Sequence, residues 1–456
     1  MHEAEQSNSD CNRRDFLKGS SLAALMAMMG GVPLVAQPAT ESGAESKPGT
    51  KKLKVALIGL GPQGRDILDQ LGRLEQAEVA AICDNYPAML RRSASKAPGA
   101  AAVDDYKSIL ANPEIPAVII ATGSHQHKAI ALAALQAGKH VYCEAPLAHT
   151  IEDARAVARA AKAAVGKVFQ PGLQLRSDRH RQFLLPFLRS GALGKTVKAR
   201  AQWHKKVSWR SASPNPEREK EVNWRLHRST SPGLVGEVGI HALDQAGWFL
   251  NLEPVAVSGY GATMLWKDDG RDVPDTVELV VEYAGGVRMN YQASLATSFD
   301  VEYELLHGSD ATVLMRDGKA WMFKEVDSPL LGWEVYARKE AFYKESGIAL
   351  VAGGSKQSAL DSGATDATAS TLPPLYHALE AFLSNCLETD EMVADFTSSF
   401  PNADKAALAE SLKAIEFHKA ATYAEGYAAT VLALKANEAV IQGTRLELKK
   451  EIFELA

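Results

Sequence analysis

Cysteine is scarce in this chain. Cys11, Cys83, Cys143 and Cys386 are the four among 456 residues, and with Cys11 in a removable leader the other three are odd in number and widely spaced. No disulfide framework fits that pattern, which suits a protein that folds in a reducing compartment. An excess of positive charge is also lacking: 50 Lys and Arg stand against 55 Asp and Glu, a net charge of −5. Nucleic acid and anionic membrane both require a basic surface, so neither is expected as a partner. A membrane span needs ~20 apolar residues. The stretch "LAALMAMMGGVPLVA" has about 15 and is interrupted by Gly30 and Gly31.

Just before that stretch, "NRRDFLKGSS" sets Arg13 and Arg14 ahead of Phe-Leu and a lysine. The pattern reads as a twin-arginine export signal, the route for proteins that cross a membrane already folded. The expectation is a signal over residues 1–39, a polar linker over 40–51, and a periplasmic or other extracytoplasmic location reached through the twin-arginine machinery. About 415 residues remain, more than one hydrophobic core usually organises, so two domains are expected, 52–175 and 176–456.

The first domain opens on "KLKVALIGLGPQGRDILDQLGRL": an apolar run, Gly59-x-Gly61-x-x-Gly64, then Ile67, Leu68, Leu71 and Leu74 at helical spacing. Strand, glycine turn and helix start form a dinucleotide fingerprint. Gly59 permits the turn, Gly61 lets a pyrophosphate approach the backbone, and Gly64 lets the helix pack on the strand. Leu60 and Gln63, inside the turn, are counted with them as cofactor-binding. The next strand, "VAAICD", ends in Asp84, placed to hold the adenosine ribose diol. A carboxylate there repels a 2′-phosphate, so NAD is favoured over NADP, although Arg91 and Arg92 lie close by.

Strands and helices keep alternating through "AVIIATGSHQHK", "AIALAALQAGKH", "VYCEAP", "IEDARAVARAAKAA" and "KVFQPGLQLR", the last read as a strand. This predicts a doubly wound parallel sheet whose ligands bind at the carboxyl ends of the strands. Thr122, His127, Glu144 and Gln174 fall near those ends. From Leu193 the pattern becomes strand after strand, with a hairpin turn at Gly285-Gly286, which predicts a mostly antiparallel sheet. A helix beginning at Glu237 leaves His241, Asp244 and Gln245 on the side away from Ile240, Leu243 and Trp248. Residues 353–371 read as a mobile low-complexity loop, 375–440 as Ala-rich helix, and "TRLEL" as a returning strand.

"GLGPQG", "CD", "ATGSHQHK…ALQAGKHVYCEAPLA" and "GEVGIHALD" together resemble the glucose-fructose oxidoreductase / inositol dehydrogenase / MocA-like family, from about Lys52 to the C-terminus. The resemblance implies an α/β fold: an N-terminal Rossmann domain with a doubly wound parallel sheet, then a C-terminal α/β domain with a large, mostly antiparallel sheet. It also implies NAD(P)-dependent chemistry on a sugar, inositol or related polyol, and a homo-oligomer. His127 matches a family position in the cofactor loop.

Oxidising a secondary alcohol needs a hydride acceptor and a base for the hydroxyl proton, a task that suits imidazole. The pair matching the family's acid and histidine is Glu237 and His241, one turn apart, with Glu in place of the usual Asp. Arg176, Trp224 and Asp244 are expected at the substrate; no metal site is expected. The family usually has Glu-Lys-Pro, its lysine touching the reacting hydroxyl, whereas this chain has Glu144-Ala145-Pro146. Three readings stay open. Another residue supplies the charge, with Arg176, His204, Lys205, Lys206 and Arg225 as candidates; or a related reaction runs on His241 alone; or the protein binds without turnover. A leader for folded cargo joined to a dinucleotide fingerprint further implies a cofactor acquired in the cytoplasm and tightly held. Such a cofactor suits net oxidation and reduction, or a redox-neutral glycoside hydrolase or epimerase that returns the hydride.

Overall fold

The computed structural model describes residues 51–330, 339–342, 345–350 and 372–455. The twin-arginine segment at 1–39, the linker at 40–51 except Lys51, and the loop at 353–371 lie outside the described residues. The chain divides into two compact units. The larger takes in the described residues of Ser46–Asp178, Arg200–Glu302 and Leu372–Ala456, and the smaller those of Arg179–Ala199 and Tyr303–Thr371.

In the larger unit six strands form one sheet: β1 (Leu53–Ile58), β2 (Ala77–Cys83), β3 (Ala101–Val103), β4 (Ala117–Ile120), β5 (His140–Cys143) and β6 (Phe169–Pro171). Their order is β3-β2-β1-β4-β5-β6 and every pairing is parallel. This is the expected doubly wound sheet. The strand order reverses between β1 and β4, which opens a ligand crevice at their carboxyl ends. Parallel strands covered on both faces must be apolar throughout; Val55, Ala56, Leu57 and the whole of Ala117–Ile120 have no exposed surface.

Helices α1 (Pro62–Leu71), α2 (Pro87–Ser93), α3 (Tyr106–Ala111), α4 (His127–Gln136) and α5 (Ile151–Ala163) lie in the connections. Helix α1 starts with proline in its first turn and buries Ile67, Leu68 and Leu71, the stripe its spacing predicts. Helix α5 is capped by the Thr150 side chain, which accepts from the Asp153 N–H. Strand β6 is shorter than its sequence suggests. It ends at Pro171, and Gln174–Ser177 forms a 3₁₀ turn instead.

A second departure lies ahead of helix α6 (Ile240–Leu250). Val235–Gly239 is a π-turn, so the uninterrupted helix expected from Glu237 begins three residues later. Gly236 and Gly239 permit it: a Cβ on the first would lie 2.3 Å from Pro232 Cγ, and on the second 2.9 Å from Tyr291 Cε1. Such wide turns recur at functional sites.

The C-terminal segment returns to the parallel sheet. Helix α7 (Pro374–Ser399) sends Leu379, Phe382, Leu383 and Cys386 into the apolar cluster that holds Val55, Leu57, Ile67 and Leu68. Helix α8 (Tyr423–Gln442) contributes Tyr427 and Val431 to the cluster on Ala56, Ile58 and Val118.

Beyond β7 (Thr196–His204), strands β8 (Pro254–Ala262), β9 (Thr276–Tyr283) and β10 (Arg288–Ser294) pair antiparallel in sequence. The β9–β10 turn is the expected one, with Gly285 at φ 79° and Gly286 at φ 83°. In the smaller unit β11 (Glu302–Gly308), β12 (Ala311–Arg316), β13 (Lys319–Lys324), β14 (Lys339–Phe342) and β15 (Glu345–Leu350) continue the antiparallel pattern in the order β11-β12-β13-β15-β14. Strand β16 (Arg445–Glu447), the expected return of "TRLEL", pairs with β8.

Candidate functional site

The three glycines are held to their type by different constraints. Gly59 has φ +96°, and a Cβ there would lie 2.6 Å from the Ala121 carbonyl oxygen. At Gly64 a Cβ would stand 2.0 Å from the Gly59 oxygen, so helix α1 could not close on the turn. Gly61 differs: its Cβ would meet nothing within 4 Å. That open space lies at the N-terminus of α1, where Gly61 supplies no side-chain cap. A helix N-terminus with a bare approach suits a phosphate group, so the turn fits a dinucleotide.

Asp84 braces this turn. Its Oδ2 accepts from the Leu60 N–H at 2.8 Å and its Oδ1 from the Tyr86 N–H at 2.8 Å. Each carboxylate oxygen keeps a further lone pair, enough to accept from a ribose hydroxyl. His127, the first residue of α4, is enclosed; its Nδ1 lies 2.8 Å from the Pro146 carbonyl and its Nε2 3.1 Å from that of Thr122. Burial pushes its pKa down to about 4, against the pull of both carbonyls; the neutral ring has one N–H and donates to one of the two carbonyls at a time. Its part is to position Thr122. Gln174 stands in the 3₁₀ turn after β6, partly buried.

Glu144 follows β5 and accepts a 3.0 Å hydrogen bond from Gln63 Nε2, which links it to the glycine turn. Burial raises its pKa to about 7, against the opposing pull of the Gln63 hydrogen bond, the Ala145 N–H and the Arg225 charge. Gly172 makes room for the carboxyl group, since a Cβ there would lie 2.5 Å from Glu144 Oε2. A carboxyl group with a raised folded pKa destabilises the fold as it ionises. Glu144→Gln is therefore expected to match the wild type in melting temperature below pH ~4.5. Its advantage should grow as pH rises through about 7, approaching ~3 kcal/mol by linkage; a melting-temperature difference independent of pH would refute this.

Glu237 sits in the π-turn. Ser124 Oγ donates to it at 2.8 Å and Ser231 Oγ at 3.1 Å, and Arg225 Nε is 3.9 Å from its Oε2. Burial raises its pKa, while Arg225, Ser124 and Ser231 oppose the rise. The two serines were not singled out from sequence; the position of Ser124 just past the end of β4 was the available signal. His241 is partly buried, and its Nδ1 is enclosed with no hydrogen-bond partner among the described residues. Burial pushes its pKa down to about 4, so it is neutral at pH 7 and able to accept a proton.

Arg176 and Asp244, both expected at the substrate, hold each other. Arg176 donates through Nε and Nη2 to the two Asp244 oxygens, each at 2.8 Å, and through Nη1 to Glu425. Asp244 and Gln245 are buried rather than open on the free side of α6, because the side expected to be free is covered by this ion pair and its neighbours. Trp224 stays beside the loop after β4. Its ring centroid is 5.8 Å from that of His125, and Gly123 lets it approach, a Cβ there lying 3.1 Å from Trp224 Cδ2.

A family model described as an oxidoreductase family with an NAD-binding Rossmann fold matches residues 53–172, and one described as the GFO/IDH/MocA C-terminal domain matches residues 185–314. The chain belongs to the GFO/IDH/MocA oxidoreductase family. This GFO/IDH/MocA protein is 27% identical over 216 residues to 1,5-anhydro-D-fructose reductase of Ensifer adhaerens, spanning 47% of this chain and 61% of that protein. With inositol 2-dehydrogenase of Salmonella paratyphi B it shares 29% identity over 210 residues, 46% of this chain and 57% of that one. The matched stretch thus covers less than two thirds of either relative. A solved levoglucosan dehydrogenase, in complex with NADH and levoglucosan, has the same fold, with a TM-score of 0.64, 20% identity, and coverage of 88% of this chain and 100% of that one.

Proposed function

We propose that this protein is an NAD-dependent oxidoreductase acting on a secondary alcohol of a sugar, inositol or related polyol. The observation that carries the reading is His241: a neutral imidazole with an unpartnered Nδ1, on the helix after the π-turn that holds Glu237. The relatives named above, an anhydrofructose reductase and an inositol dehydrogenase, support the substrate class. Gly59, Gly61 and Gly64 hold the pyrophosphate, and Asp84 takes the ribose diol and disfavours a 2′-phosphate, so NAD is preferred over NADP. When bound, the oxidised nicotinamide supplies a hydride acceptor. His241 takes the hydroxyl proton, and Glu237, fixed by Ser124 and Ser231, accepts from a substrate hydroxyl. The test is a panel of polyols with NAD, read as reduced-nicotinamide absorbance; silence across the panel would remove this reading.

Tight retention of the cofactor, and export of the loaded protein by the twin-arginine route, belong to the same proposal. Its support is a strap, residues 208–223, that crosses to the residues just after Asp84. Arg218 donates to the Asn85 carbonyl at 3.0 Å and to Asn85 Oδ1 at 2.9 Å, and lies 4.8 Å from the Tyr86 ring centroid. Asn85 Nδ2 donates to Glu221. Arg210 and Glu219 pair at 2.7 Å, and Ser211 and Asn223 exchange hydrogen bonds at 2.7 and 3.0 Å. Arg218→Ala removes a charge-assisted fork worth ~1.5–3 kcal/mol, so NAD is expected to leave about tenfold faster or more. Release measured by rapid dilution with an NAD-capturing enzyme checks it, and an unchanged rate would separate the strap from retention.

A retained cofactor equally serves a redox-neutral cycle, in which hydride leaves a sugar carbon, a neighbouring bond is eliminated or an epimer forms, and hydride returns. Release of nitrophenol from aryl glycosides without net NADH would select that second reading.

A further inference from the structure

Ala145 leaves the turn after β5 without a cation, and four of the five groups that could replace one are placed otherwise. Arg176 is gripped by Asp244 and Glu425. His204 Nδ1 lies 3.1 Å from the Phe299 carbonyl, and Lys205 and Lys206 are exposed. Arg225 is different. Its side chain is 35% exposed, yet its Nε is enclosed and, among the described residues, donates no hydrogen bond. Its charge acts on Glu237, 3.9 Å away, and on Glu144. Among the described residues it is the cation whose charge opposes the raised pKa of both carboxyl groups.

The guanidinium is also fixed in direction. Its carbon lies 4.9 Å from the Trp224 ring centroid and 5.7 Å from that of Trp209, within cation–π range of both. Trp209 reaches it from φ +65°, a left-handed backbone that is an outlier for a bulky residue. Neighbouring contacts impose that geometry: the Ser208 carbonyl accepts from Arg271, and Ser208 Oγ from the Arg210 N–H at 2.9 Å. Strain of this kind persists where surrounding structure over-determines it, and it gathers at functional sites. An arginine flanked by two indoles, 3.9 Å from the enclosed Glu237 carboxyl group and with an Nε that donates no hydrogen bond among the described residues, is suited to receive an oxygen on which negative charge develops.

We infer that Arg225 is the cation that meets the reacting oxygen of the substrate, in place of an ammonium group at position 145. The assignment rests on the proposed oxidoreductase reading. With the oxidised nicotinamide bound, the cofactor would supply the acceptor for the hydride and its two electrons; His241 would take the hydroxyl proton as the C–O bond becomes C=O. Arg225 donates a hydrogen bond to that oxygen throughout and keeps its own protons, since a guanidinium does not deprotonate in proteins.

Sulfite tests the charge without any sugar. On the NAD-saturated protein its sulfur lone pair adds to C4 of the oxidised nicotinamide, giving a dihydropyridine with near-ultraviolet absorbance and a sulfonate beside the reacting position. Arg225→Gln is expected to weaken sulfite addition by about tenfold or more with NAD content unchanged, whereas Arg225→Lys keeps most of the affinity. Equal sulfite affinity in Arg225→Gln and wild type overturns the assignment, as does a wild type that forms no adduct. An Arg225-dependent adduct in a protein that oxidises no polyol leaves the cation assigned and removes the polyol substrate.

Discussion

His241→Ala is expected to lower turnover by about 10²–10⁴-fold, the usual contribution of a positioned proton acceptor, while bound nicotinamide stays stoichiometric. The expectation follows from three features of the residue. Burial holds its pKa near 4, so at pH 7 the ring is neutral and one of its nitrogens can accept a proton. Its Nδ1 meets no protein partner among the described residues, so the imidazole is not committed to the scaffold. The turn ahead of it is a π-turn that places Glu237 on two serines rather than on the imidazole. Because its Nδ1 has no partner among the described residues, the variant should lose packing but no Nδ1 hydrogen bond of the fold. His127→Ala offers the contrast. That ring lies within hydrogen-bond distance of two backbone carbonyls and donates to one of them, so its loss should reduce stability as well as turnover. Activity of His241→Ala within a fewfold of wild type would take His241 out of the mechanism.

The second large effect separates two glycines three positions apart. Gly61→Ala adds a methyl group where nothing lies within 4 Å, at a backbone of φ −60° that any residue adopts. Its melting temperature should match the wild type, since a substitution without clash stays within about 0.5 kcal/mol. NAD affinity should nevertheless fall by about 10²-fold, because the methyl group occupies the pyrophosphate's approach and displaces it by an ångström or more. Gly64→Ala meets the Gly59 oxygen at 2.0 Å. Such overpacking costs about 1–3 kcal/mol or more, and here it also separates α1 from the turn, so stability and NAD binding should fall together. Differential scanning calorimetry and NAD titration of both variants read the difference; an unaltered NAD affinity in Gly61→Ala would mean that the open space is not a phosphate site.

Much of this fold was legible because its signals are local. Apolar runs ending in glycine or acidic residues gave β1 and β2, the Ile67-Leu68-Leu71 stripe gave α1, and Gly285-Gly286 gave the β9–β10 hairpin. The misreadings came from tertiary packing. "KVFQPGLQLR" looks extended throughout, but Gly172 must face the Glu144 carboxyl, and the chain turns there. Helical spacing set Asp244 and Gln245 on an open side, which the distant Arg176 and Glu425 close. Within the candidate site, Glu237 and His241 were both named from the sequence. Ser124 and the strap to Asn85 were not, because each joins residues far apart in the chain, and Ser231 was not, because its contact with Glu237 depends on the turn between them. Arg225 stood as one name among five until the hydrogen bonds of Arg176 and His204 set those two apart.

The account depends on a dinucleotide held at the Gly59–Gly64 turn. Denaturing the purified protein and quantifying the released nicotinamide by mass spectrometry, alongside titration of NAD into protein stripped of it, tests this most directly. Stoichiometric NAD in the released fraction, or saturable rebinding that Gly61→Ala weakens by about 10²-fold, is the predicted result. A protein that carries none and fails to bind NAD supplied in excess contradicts the account.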